Sequence, residues 1–96
     1  MKVYLIVHIE VTNPELMEKY RKLVPKIIAK YQGKYLVRGG DSEILEGDYF
    51  KHRIVLLEFP SRQQANNFYN SEDYAPVKML RIEAGNNSIV LVEGIE

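Results

Sequence analysis

An arginine beside a glycine pair, Arg38-Gly39-Gly40, is the arrangement in this chain best suited to holding a ligand. A guanidinium is a planar fork of donors that matches carboxylate and phosphate oxygens two at a time. Adjacent glycines permit a left-handed backbone and close approach of a bound group. The competing reading is a strand bulge in which Arg38 pairs with Glu46 or another carboxylate. Arg81 offers a second cation, on a short helix among Tyr74, Val77 and Leu80. It would anchor an anion between helix and sheet, or tie to Glu46 or a helix carboxyl end, since a buried charge needs a partner.

His8 and His52 are the only histidines. Together they read as a proton-transfer pair, as half of a metal site with Glu10, or as a polar rim. No ligand-spacing motif backs the metal reading, so neither a metal nor a cofactor is expected. Tyr20, Tyr31, Tyr69 and Tyr74 come from helical segments and would line a cavity between helices and sheet, although aromatic stripes at this spacing also serve as plain core. Tyr20 and Tyr69 therefore join Arg38, Gly39, Gly40, Arg81, His8 and His52 as candidate ligand-binding residues. No phosphate loop, Ser-His-Asp set or glycosidase carboxylate pair is present.

Ninety-six residues make one domain, 1–96, with 46% apolar and 27% charged residues. Thirteen basic side chains cancel thirteen acidic ones, which argues against nucleic-acid binding and against attraction to anionic lipid. Near-neutrality leaves self-association unopposed. The absence of cysteine excludes disulfides and thiolate chemistry. The alternating start, with His8 and Glu10, does not read as a signal peptide, and no apolar run approaches membrane-spanning length. A cytoplasmic location is expected.

The elements that must position these residues follow from periodicity. Residues 2–11 alternate, with Val3, Leu5, Val7, Ile9 and Val11 on one aliphatic face. Asn13-Pro14-Glu15 starts a helix whose stripe is Leu16, Tyr20, Leu23, Val24, Ile27, Ile28 and Tyr31; Pro25 bends it and Gly33 closes it. Residues 34–46 read as a strand with a bulge at Gly39-Gly40, followed by a turn at Glu46-Gly47-Asp48. His52–Phe59 is an interior strand. Ser61 and Gln64 cap a second helix with Ala65, Phe68 and Tyr69 on its buried edge. A third helix carries Tyr74 to Arg81, Gly85-Asn86-Asn87 ends it, and Ile89–Val92 is the last strand.

The order strand–helix–strand–strand–helix–strand is the split βαβ pattern of an α+β, ferredoxin-like βαββαβ fold, an antiparallel sheet with helices on one face. Its first and third strands are central neighbours. A register in which paired numbers sum to 60 sets Lys2 opposite Glu58, Ile6 opposite Ile54 and His8 opposite His52. The uncovered face would then carry Tyr4, Ile6, Ile54 and Leu56. That patch predicts a homodimer through the open sheet face.

At this level the chain resembles the DUF1330 family within the dimeric α+β barrel superfamily. The matching residues are Tyr4, Asn13-Pro14, Tyr20, Gly33, Arg38-Gly39-Gly40, Glu46-Gly47, Glu58-Phe59-Pro60-Ser61, Phe68-Tyr69-Asn70-Ser71, Tyr74, Arg81 and Val92-Glu93-Gly94. It departs from the pattern at Asn13, usually Asp; at Phe68, often Trp; and at Gln32, where a second Gly is common. The resemblance implies fold and dimerisation, while the family has no assigned activity. Its superfamily includes cofactor-independent monooxygenases, isomerases and haem-associated enzymes, and carrying over any one of these is fold-level analogy. The expected function is therefore binding of a small anionic or aromatic molecule between helices and sheet. The alternatives are a monooxygenase- or isomerase-like enzyme and a structural or regulatory dimer without ligand. RNA binding ranks last, for want of paired aromatics on the third strand.

Overall fold

Alternation along the first strand dictates the layering. In a computed structural model describing residues 1–47 and 52–95, β1 (Val3–Val11) buries Val3, Leu5, Val7 and Ile9 on one face and leaves Tyr4, Ile6 and His8 half-buried on the other. The elements after it are α1 (Pro14–Lys30), β2 (Lys34–Arg38), β3 (Arg53–Phe59), α2 (Arg62–Tyr69), α3 (Tyr74–Glu83) and β4 (Gly85–Glu93). They form one antiparallel sheet of order β2-β3-β1-β4. All three helices contribute to the core on the Val3–Ile9 face. The sheet of one chain stays open at both edges and does not close into a barrel.

Local chemistry sets the helix ends. Asn13 accepts from the Leu16 N–H at 3.2 Å, and Ser61 from the Gln64 N–H at 3.1 Å, each satisfying a donor the first turn cannot. Ser71 bridges α2 to α3, donating to the Phe68 carbonyl and accepting from the Tyr74 N–H. The first core aromatics are Phe59 and Phe68, with ring centroids 5.4 Å apart; Tyr74 lies 4.3 Å beyond Phe68.

Several expectations are corrected. The register sums to 62, pairing Tyr4 with Glu58, Ile6 with Leu56 and His8 with Ile54. The Lys2–Glu58 ion pair that suggested the other register still forms at 3.5 Å, because the long lysine side chain spans the offset. A shift of two residues keeps every side chain on its predicted face. β2 ends at Arg38, and its bulge falls between Tyr35 and Val37 rather than at the glycines. Leu23 is exposed instead of joining the stripe. Gly85, Asn86 and Asn87 begin β4 rather than ending α3. Of the turn expected at Glu46-Gly47-Asp48, Gly47 takes a left-handed backbone and Asp48 lies outside the described residues.

The end of α1 is the clearest revision. The left-handed residue is Gln32, with φ of 66°, not Gly33. The Gln32 and Gly33 N–H groups close onto the Ala29 and Ile28 carbonyls at 3.0 and 2.9 Å, a Schellman ending with a non-glycine in the strained place. Gly33 is needed for a different reason: a Cβ there would lie 2.6 Å from two Phe59 ring carbons.

Two substitutions separate these roles. Gln32→Gly relieves a left-handed residue and is expected to stabilise the protein by about 1 kcal/mol. Gly33→Ala forces the Phe59 ring to move and is expected to cost about 1–3 kcal/mol. Urea midpoints measure both; equal effects of one sign would contradict the assignment.

Candidate functional site

The bulge decides which way Arg38 points. On a regular strand Tyr35 and Arg38, three residues apart, would face opposite sides. With the extra residue at Leu36, Tyr35 pairs with Leu57 and Arg38 with Val55, both on the helix face. The Arg38 guanidinium consequently lies over the Tyr35 ring, 4.6 Å from its centroid, and donates through Nη2 to the Arg21 carbonyl at 2.9 Å. That carbonyl is available because Pro25, four residues on in α1, has no N–H to offer it.

Behind Arg38 is a cavity of about 30 Å³ between helices and sheet. By that measure it holds about two waters, or a group the size of a carboxylate. Its walls are aliphatic, from Val7, Ile9, Val24, Val55 and Leu57 among others; Arg21, Arg38, Arg53 and Tyr35 line its more exposed side, and Tyr20, Tyr74 and Arg81 its interior.

Three guanidiniums thus share one mouth. Burial first, then the like charges of Arg21 and Arg38, pull the pKa of Arg53 down. Gly39, with φ of 68°, lets the Arg53 guanidinium lie against the β2 backbone, where any Cβ would collide with Nη1. Arg21 pairs with Glu18 at 3.1 Å. Among the described residues, neither Arg38 nor Arg53 has a carboxylate partner, and the expected alternative, an Arg38–Glu46 pair, is not formed.

Arg81 is 3% exposed. It too pairs with no carboxylate among the described residues; its Nε donates to the Tyr74 hydroxyl at 3.3 Å, and Tyr74 and Tyr20 share a hydrogen bond of 2.8 Å. Burial pushes the Arg81 pKa down, but the facing Tyr74, Tyr20 and Tyr69 outweigh it and the shift is upward. Burial, reinforced by Tyr74, drives the Tyr20 pKa far above its ordinary value, so this phenol keeps its proton; either hydroxyl of the pair can be the donor. Asn87 steadies the same corner, donating to the Arg81 and Gly85 carbonyls at 3.0 and 2.8 Å, while its buried Oδ1 has no hydrogen-bond partner among the described residues.

Of the candidates read from sequence, the structure brings Arg38, Arg81 and Tyr20 to this cavity, and Gly39 lies against the Arg53 guanidinium. Tyr69 stands beside it, its ring 6.2 Å from that of Tyr74, and lines a separate groove of about 240 Å³ with Leu5, Ile89 and Leu91. Gly40 adjoins open space. His8 and His52 lie on the opposite, open face of the sheet in a depression of about 190 Å³, where His52 Nε2 is 3.6 Å from Glu10. Among the described residues no cluster of three or more His, Asp or Glu side chains suits a metal ion. Arg21, Arg53, Tyr35 and Asn87 were not among the expected site residues. Arg53 was accessible from parity alone, two residues before Val55 on the aliphatic face of β3.

The Tyr74 hydroxyl is the one bond that joins Arg81 to Tyr20. Tyr74→Phe strands a buried guanidinium Nε and is expected to cost about 1–3 kcal/mol, more than Tyr20→Phe. Chemical denaturation of the two variants tests the order; a larger loss from Tyr20→Phe would contradict it.

Comparison with known proteins matches this geometry to a fold. A protein of unknown function from Rhodopseudomonas palustris superposes with a TM-score of 0.79 at 13% identity, covering 99% of this chain and 83% of its own. A dimeric ferredoxin-like protein of unknown function from Jannaschia sp. CCS1 gives 0.75 at 8% identity, over 98% and 100% of the two chains. A Caulobacter crescentus CB15 protein with the provisional name antibiotic biosynthesis monooxygenase gives 0.63 at 14% identity, over 99% and 91%. These likenesses show the fold alone. No curated protein sequence matches. The sequence profile of the domain of unknown function DUF1330 matches residues 2–95, and the chain belongs to that family.

Proposed function

We propose that this protein is a homodimer that binds a small anionic molecule, with the anionic group at the arginine mouth of the helix–sheet cavity. The observation that carries the reading is that Arg38 and Arg53 converge there without a carboxylate ion pair among the described residues, the nearby Glu18 being paired with Arg21. A structural dimer without ligand would enclose no cavity and would satisfy Arg38 and Arg81 with carboxylates, and among the described residues neither arginine has one. Uncompensated cations at a cavity entrance favour a ligand instead. The volume behind the mouth, about 30 Å³, leaves room for no more than a compact substituent, so the anionic group stays at the arginines and most of the molecule outside.

An enzyme of the monooxygenase or isomerase kind would need a proton acceptor inside the cavity. Tyr20 holds its proton, and the histidines stand across the sheet. Ligand binding is therefore the better-supported reading.

Dimerisation is supported by the open face. In the single chain Val90 and Val92 are 55% and 44% exposed, and with Val37 they border Ile6, Ile54 and Leu56 in one apolar surface. Such a surface is larger than scattered apolar residues produce, and a two-fold partner would cover it symmetrically. Dimeric relatives of the same fold agree with this.

Both halves are testable. Small carboxylates and phosphates, added at low ionic strength to about a hundred times their Kd, should stabilise the protein by about 2.7 kcal/mol. This should appear as a rise in Tm that Arg38→Ala abolishes. A panel in which no anion shifts Tm would sink the ligand-binding reading. Separately, native mass spectrometry should give the mass of two chains, and Val90→Lys should shift it to one. A wild-type protein that is monomeric at micromolar concentration would remove the dimer.

A further inference from the structure

Charge stoichiometry at the mouth says more than its sign. Arg21, Arg38 and Arg53 bring three positive charges, and Glu18, paired with Arg21, returns one. The surplus of two faces the cavity entrance, and Arg81 adds a further cation deeper in the cavity. Two of the guanidiniums are also held in place before any ligand arrives: Arg38 by the Tyr35 ring and the Arg21 carbonyl, Arg53 by its seat against Gly39. Fixed donors lose little freedom on binding, so their geometry selects the ligand.

A monocarboxylate would neutralise half of that surplus and offers two acceptor oxygens. A phosphate monoester carries close to two negative charges at neutral pH and presents three acceptor oxygens. Resting on the anion-binding role proposed above, we infer that the mouth is built for a dianionic phosphate group, free or carried on a small organic body. Each guanidinium takes one phosphate oxygen or shares two, and the short apolar cavity behind accepts at most a compact substituent. Among the described residues, the charged and titratable side chains facing the mouth are Glu18 and Arg21 of α1, Tyr35 and Arg38 of β2, and Arg53 of β3, with Tyr20, Tyr74 and Arg81 deeper in the cavity. Both histidines lie on the far side of the sheet. With both histidines on that far side, pH dependence of binding between pH 5 and 7.5 is assigned to the ligand, whose second pKa is about 6 for a monoester.

Isothermal titration of the full chain at low salt, with inorganic phosphate, phenyl phosphate and benzoate, tests this. Phenyl phosphate and benzoate share a ring and differ in the charged group. The phosphates are expected to bind about tenfold or more tighter than benzoate at pH 7.5. Most of that advantage should vanish at pH 5, where phosphate becomes a monoanion, while benzoate affinity stays level. Whether inorganic phosphate or phenyl phosphate binds tighter distinguishes a free group from one carried on an organic body, and either order supports the dianion. Arg53→Gln should cost phenyl phosphate about tenfold and benzoate less, with Arg38→Gln as the second variant should the first fail to fold. Equal affinity of benzoate and the phosphates would overturn the dianion inference and leave the anion site standing. Absence of binding by all three would overturn both.

Discussion

One extra residue in a five-residue strand governs what this molecule presents to a ligand. Leu36 occupies the bulge in β2; were residues 34–38 a regular strand, Arg38 would project from the open face of the sheet, the side that Lys34 occupies. With the bulge, Arg38 joins Tyr35 above the cavity, close enough to Arg21 and Arg53 for their charges to act on one another. A second irregularity completes the arrangement. Pro25 withholds the helical hydrogen bond that the Arg21 carbonyl would otherwise receive, and Arg38 supplies one from the sheet. Two local departures from ideal geometry, on different elements, thus meet at a single contact between α1 and β2. A residue that breaks a local rule without an evident packing gain often marks a functional place.

The two faces of the sheet do different work. The helix face carries the core and the arginine mouth. The open face is apolar in its middle and polar at both ends. At one end Glu58, only 8% exposed, pairs with Lys34 at 3.0 Å and Lys2 at 3.5 Å. The Lys34 hydrogen bond, against the opposing effect of burial and with help from Lys2, holds its carboxyl below the usual range. At the other end stand His8, His52 and Glu10. An apolar centre between polar ends is the pattern of an interface core and rim. No helix of the described residues is long and apolar enough to cross a membrane.

Much of the fold was legible because it rests on parity and caps. The five aliphatic residues of β1, the Asn13-Pro14 start and Ser61 each have one local physical meaning, and strand order follows from element order. The register was misread because an exposed lysine reaches across two positions, so a charge pair constrains pairing weakly. The bulge was sought at the glycines because glycine tolerates irregular backbone, whereas this bulge uses Leu36, an exposed residue with no such signature. That error also hid the site: Arg38 was identified, but that it shares a face with Tyr35 follows only from the bulge, whereas Arg53 follows from parity along β3. Gln32 shows the converse. There a non-glycine carries the left-handed backbone, and nothing in the residue type marks that strain in the sequence.

The bulge has a further effect at the sheet's rim. β2 is an outer strand, and outer strands expose a row of unpaired backbone groups on which a stray chain can align. Here that row is five residues long, is broken in its middle, and carries Lys34 and Arg38 at its ends. A template so short, kinked and charged gives an incoming strand no register to adopt. The distortion that aims a ligand contact inward therefore also protects this rim from sticking to other unfolded or edge-exposed chains.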